Sequence, residues 1–175
     1  DERPTYGPLT QLDVNEIMNT QNSSVYMRIP FELSGDPSRF DELRMDVRFD
    51  DGYRAYLNGQ LVSEENTPFA PPPPAPNVLP WNSSAEGTAG ALNGQIPLTQ
   101  VDLLAFRDSL RLGSNVLAIH GLNIDANDHD FFFDAQLIGT EFATGKAQVF
   151  ASPTPGSANL APAAQPPQVI GEEGL

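Results

Sequence analysis

Apolar and polar residues alternate along several stretches of this chain, and alternation marks a strand with one face buried and the other wet. From Val25 to Leu33 the odd positions Val25, Met27, Ile29, Phe31 and Leu33 are apolar, whereas Arg28, Pro30 and Glu32 are not. Leu43, Met45, Val47 and Phe49 repeat the pattern against Arg44, Asp46, Arg48 and Asp50. Pro30 cannot donate to a ladder, so the first of these strands belongs at a sheet edge or a bulge. Tyr53-Arg54-Ala55-Tyr56-Leu57 runs into Asn58-Gly59 and then Gln60-Leu61-Val62. Asn-Gly between apolar runs predicts a tight hairpin, because both turn residues must take positive φ. Val116–His120 is a near-continuous apolar run, as expected of a central strand covered on both faces. Phe131–Ile138 reads as the strand that closes the sheet.

Two short helices are expected between the strands. Asp13 with Glu16 forms a capping box before Val14, Ile17 and Met18. Thr99 with Asp102 repeats the signal more weakly before Leu103, Phe106 and Leu110, and Gly113 ends that run. Many strands, few helices and long polar loops predict an all-β protein, a jelly-roll β-sandwich. Its core should hold Met27, Ile29, Phe31, Leu43, Met45, Val47, Phe49, Leu57, Leu104, Phe106, Leu117, Ile119, Phe131 and Phe133. Pro71–Pro74 and the prolines around them predict a polyproline surface loop that ends at Pro80-Trp81. The chain thus divides into a lead-in with a short helix at 1–24, a sandwich at 25–150, and a Pro/Ala-rich linker or docking arm at 151–175.

Composition narrows the partners. The 175 residues suffice for one domain and a tail, and carry 9 Lys plus Arg against 23 Asp plus Glu, a net charge of −14. Phosphate backbones and anionic lipid surfaces need a cationic footprint, so the balance argues against nucleic acid and anionic membrane surfaces as partners. No apolar run reaches transmembrane length, which argues against membrane insertion. Cysteine is absent, which removes thiol catalysis, thiolate metal sites and a disulfide scaffold, but is compatible with a secreted or cell-surface bacterial domain. The chain begins at Asp1 rather than Met, and its start reads as processed or excised.

A run of motifs carries a resemblance. VYMRIPF at 25–31 is followed by RMDVRFDDGYRAYLNGQLV at 44–62, Trp81-Asn82, Val101-Asp102-Leu103, LRLGSNVLAIHGLN at 110–123, Asp130-Phe131, and SPTPGSAN at 152–159. Together these resemble the galactose-binding-like jelly-roll modules of large secreted bacterial proteins of planctomycete type, which also carry lamin-tail or spore-coat-kinase-like domains. The Asp-Asp-Gly then Tyr-Leu-Asn-Gly sequence is similar, more distantly, to the non-catalytic sugar-binding domain of β-galactosidases. The resemblance spans roughly residues 12–159 and implies a non-catalytic extracellular module for a polysaccharide or glycan. The Pro-rich insertion between Thr67 and Trp81 is longer than the family pattern.

Candidate chemistry falls into two groups. Trp81 is the only tryptophan, and a loop aromatic beside amide and charged groups can stack on sugar CH faces while the polar groups bond hydroxyls. Asn82, Arg54, Tyr56 and Asn123 are the polar partners on this reading; alternatively, Trp81 anchors the Pro-rich loop. Asp50 and Asp51 in one loop, with Asp125, Asn127, Asp128 and Asp130 in another, offer the hard oxygens of one structural calcium. The same carboxylates also suit local turn capping. His120 reads as a satisfied strand-end residue and His129 as a solvated one. No acid, base and nucleophile constellation stands out, so the chain is read as no enzyme. The alternative function is a structural or assembly module of an extracellular filament or surface layer, with residues 152–175 contacting a neighbouring subunit.

Overall fold

Two antiparallel sheets, each of four strands, face one another and form a β-sandwich. The structure, a computed structural model, describes residues 12–68, 79–90, 95–142 and 168–170. The polyproline run, residues 1–11 of the lead-in and most of the tail lie outside the described residues. The strands are β1 (Ser24–Leu33), β2 (Glu42–Asp50), β3 (Gly52–Leu57), β4 (Gln60–Glu65), β5 (Thr99–Asp102), β6 (Gly113–Leu122), β7 (Phe132–Thr140) and β8 (Gln168–Ile170). The first sheet has the order β1-β6-β3-β4 and the second β5-β2-β7-β8. Pro30 lies on edge strand β1, opposite Val116, where its missing donor costs least. Asn58 and Gly59 take φ of 50° and 90° and close the β3–β4 hairpin.

The alternating residues meet between the sheets. Leu43, Met45 and Val47 of β2 pack with Tyr53, Ala55 and Leu57 of β3, Leu117 and Ile119 of β6, and Ala135 and Leu137 of β7. Met27, Ile29, Phe49, Phe106 and Phe133 are partly buried against this cluster. Tyr53 lies edge-on to both Phe49 and Phe133, with ring centroids 4.9 and 5.5 Å away, and its hydroxyl meets Ser63 Oγ at 2.8 Å. Its buried body and satisfied tip fit the amphipathic habit of tyrosine.

Two parts of the expected core move. Leu104 is 37% exposed, and its neighbour Leu103 is fully buried in its place. The predicted helix over this stretch is a 3-10 helix at Leu104–Ser109, entered after Asp102 accepts the Leu104 amide at 2.9 Å. Its tighter winding leaves Leu103 and Leu110 as the buried anchors. Phe131 lies outside the main cluster and covers Gly121, where a Cβ would come within 2.5 Å of its ring.

Three further differences follow from pairing and turn chemistry. Thr99–Asp102 is strand rather than helix cap: it pairs with Arg44–Val47 and covers the edge that β2 would otherwise expose. A 3-10 turn at Pro37–Arg39 was not anticipated, and Asp36 caps it by accepting the Ser38 amide at 2.9 Å. The lead-in helix α1 (Asn15–Met18) forms where expected, but Asp13 accepts from the Asn15 amide and Glu16 does not complete a capping box. Among the described residues no helix is long and apolar enough to cross a membrane.

The tail returns to its own sheet. Residues 168–170 pair antiparallel with Leu137, Ile138 and Gly139 of β7. This part of the tail therefore occupies a place in the sandwich, and the expected contact with a neighbouring subunit falls on tail residues outside the described set.

Candidate functional site

The outer face of the first sheet carries an ordered set of side chains. Alternation and antiparallel register place Tyr26, His120, Arg54 and Glu64 in one row across β1, β6, β3 and β4. The next row holds Arg28, Ala118 and Tyr56. Val116, opposite Pro30, follows on the same face. At the far end the segment 79–90 crosses the sheet: Leu79 and Ala85 pack on Leu122, and the Trp81 carbonyl accepts from Ser24 Oγ at 2.7 Å. What is left uncovered is a groove of about 470 Å³ lined by Tyr26, Arg28, Tyr56, Arg111, Ala118 and His120, among others. The apolar run of β6 predicted cover on both faces. Instead, Val116 and Ala118 are half-buried and form the floor of this groove.

The groove is held from below. Tyr26 stacks on His120 with ring centroids 4.2 Å apart and planes 14° off parallel, while remaining 57% exposed. One face of the tyrosine ring is thus fixed and the other is presented to solvent. His120 is buried, and its Nε2 has no hydrogen-bond partner among the described residues. Burial pushes the imidazole down to about 4, aided by the Arg54 charge and opposed by a hydrogen bond to the Trp81 carbonyl, so the ring is neutral at pH 7. Arg54 itself is buried, and its Nε lies 2.7 Å from Glu64. Tyr26 has a raised phenol pKa, from burial first and from Tyr56 second.

The mouth near the hairpin is braced by two asparagines. Buried Asn115 accepts the Arg111 amide at 2.9 Å and donates to the Arg111 and Gly113 carbonyls at 2.7 Å each. Asn58 donates to Asn115 Oδ1 and the Ser109 carbonyl and accepts from the Val116 amide. The backbone that carries Arg111 is therefore fixed.

The predicted ligand residues divide accordingly. Tyr56 lines the groove, Arg54 lies buried in the row behind it, and Trp81 is 70% exposed on the segment that closes its end. Asn82 accepts from the Ser23 amide and hydroxyl at 2.9 and 3.1 Å. Asn123 is buried, accepting from the Ile124 amide and donating to the Asp128 carbonyl. Both amides are spent on the fold and are not in the groove. Tyr26, Arg28, Arg111 and His120 were not anticipated as ligand residues. Their signal is that β6 is apolar on both faces while the described residues leave part of the outer one open.

The acidic loops meet at the same end of the sheet as the 79–90 segment, away from the β3–β4 hairpin. Asp51 is buried; its carboxylate accepts the Ala89 amide at 3.2 Å and the Ile124 amide at 2.8 Å, and its carbonyl accepts Asn66 Nδ2 at 2.8 Å. It thereby ties three loops together. Asp125 accepts the Asn127 and Asp128 amides at 2.6 and 3.1 Å, a turn-capping role. Asp128 is pushed up to about 6 by burial, by its hydrogen bond and charge contact with Asp130, and by the Asp51 charge. Asp50 is buried at the end of β2, and Asn127 is exposed. Among the described residues no group of three or more His, Asp or Glu is placed to hold a metal ion. His129 Nδ1 lies 3.0 Å from Asn19 Oδ1.

No model of a protein family matches the chain. None of the curated proteins matches it significantly. Among solved structures, a β-D-mannosidase from Dictyoglomus thermophilum is similar over 58% of this chain, at 14% identity and a TM-score of 0.34. The match spans 9% of that enzyme's chain. A likeness so distant carries no argument about function.

Proposed function

We propose that this chain is a non-catalytic extracellular binding module that holds a glycan in the groove on the outer face of the first sheet. The observation that carries the reading is the pairing of aromatic walls with a small apolar floor. Tyr26 and Tyr56 line the same groove of about 470 Å³ as Ala118 and Val116. Sugars present CH faces that stack on aromatic rings and hydroxyls that need fixed polar partners. A tyrosine immobilised on one face by His120 loses little freedom on binding, which favours recognition by preorganisation. The family resemblance of the motif string agrees with this class of module. Affinity at one site is weak, and neighbouring modules would supply avidity.

Affinity electrophoresis through gels cast with soluble polysaccharides tests the reading. Retardation by at least one polysaccharide is expected. Tyr26→Ala and Tyr56→Ala should each weaken it about tenfold or more with the fold retained, as expected for loss of a stacking contact worth about 1.4 kcal/mol. Mobility unaffected by every polysaccharide in a broad panel would overturn it.

A further inference from the structure

The geometry points to an acidic glycan, one carrying uronate carboxylates, as the ligand of this groove; the inference rests on the glycan reading above. The chain has 9 Lys plus Arg against 23 Asp plus Glu, so cationic groups are scarce and their placement is informative. Among the described arginines most are spoken for. Arg39, Arg44, Arg48 and Arg54 pair with Glu141, Asp46, Asp134 and Glu64. Arg107 donates to the Phe40 carbonyl at 2.9 Å. Arg28 and Arg111 have no such partner among the described residues, and both line the groove. The acid nearby on the same face of β1, Glu32, accepts from Ser114 Oγ rather than from either arginine.

Two guanidiniums in one groove of an acidic protein, neither paired among the described residues, form a local cationic site. Guanidinium binds carboxylate through two parallel hydrogen bonds, a planar match that a neutral hydroxyl does not offer. Arg28 stands across Ala118 from Tyr56, and the Arg111 backbone is locked by Asn115, so charge and aromatic ring are offered together to one extended ligand. Tyrosine walls would take the pyranose faces and the arginines the carboxylates. His120, neutral and without a partner at Nε2 among the described residues, adds no charge to this site. Nucleic acid is disfavoured as the anion, because two arginines cannot offset the repulsion of a polyphosphate by a net charge of −14.

The test pairs acidic polysaccharides with their own neutral forms. Polygalacturonate, alginate and hyaluronate are each assayed beside the carboxyl-reduced polymer, with single-stranded DNA as a second anion. At least one acidic form should bind tenfold or more tightly than its reduced form. Arg28→Gln and Arg111→Gln should erase that preference while leaving the melting temperature unchanged. Binding that survives carboxyl reduction at full strength overturns the acidic assignment and leaves the glycan reading standing. Binding confined to neutral polysaccharides outside these pairs does the same. Tighter binding to the DNA than to any glycan overturns both. No binding to any polysaccharide removes the glycan reading and this inference with it.

Discussion

Gly52 has no room for a side chain: a Cβ would lie 2.9 and 3.0 Å from the Glu65 and Asn66 carbonyl oxygens. Asp51 before it binds two loop amides, and Asn58 clamps the hairpin to β6. The Asp-Asp-Gly and Asn-Gly motifs are therefore legible because local backbone chemistry demands them. The groove residues are ordinary tyrosines and arginines on the polar side of strands, and only strand register brings them together. Gly121 is crowded differently, since its obstacle is the Phe131 ring rather than backbone. Gly52→Ala should cost about 2–4 kcal/mol, and Gly121→Ala about 1–3 kcal/mol. Phe131→Ala should offset much of the second cost and none of the first; chemical denaturation of the single and double variants checks both.

Two shifted titrations give opposite signs. His120, held down at about 4, binds fewer protons folded than unfolded between that value and its ordinary 6.5. Its contribution is complete above the ordinary value and is lost as pH falls through the folded one. Tyr26 and Arg54 are the groups that face it across the sheet. Asp128, raised from 3.8 to about 6, does the reverse: its contribution is present at low pH and is lost as pH rises through the folded value. Relative to the parent protein, Asp128→Asn should gain melting temperature as pH rises from 4 to 7. His120→Gln should gain it as pH falls over the same range. Differences that stay flat with pH would contradict both shifts.

At the scale of elements, alternation located the strands and register did the rest. β1, β2 and the β3–β4 hairpin follow from period two and from Asn58-Gly59. Thr99–Asp102 was misread because a Thr three residues before an Asp resembles a helix cap, whereas its pairing with β2 is a long-range contact that local spacing cannot express. The same holds for β8, whose partner lies about thirty residues earlier. Deleting residues 160–175 should unprotect the amides of Leu137–Gly139 and open the β7 edge. Hydrogen exchange of the truncated chain checks this, with the β2–β7 and β1–β6 ladders still protected. Unchanged exchange along β7 would mean that β8 contributes nothing in solution.

At the scale of the whole molecule, the described residues leave part of the first sheet's outer face open beside the 79–90 segment, and ligand binding is proposed there. Composition made the acidity plain, but not that Arg28 and Arg111 stand apart from the acids around them. That separation arises from the fold, which pairs the other described arginines at home. The most direct measurement is a backbone-amide NMR titration with the oligosaccharide of whichever polysaccharide retards the protein most. The account predicts shifts concentrated at residues 26–28, 56–59, 111 and 116–120, absent in the Tyr26→Ala, Tyr56→Ala double variant. Shifts centred instead on the acidic loops around Asp51 and Asp128, or on the second sheet, would contradict it.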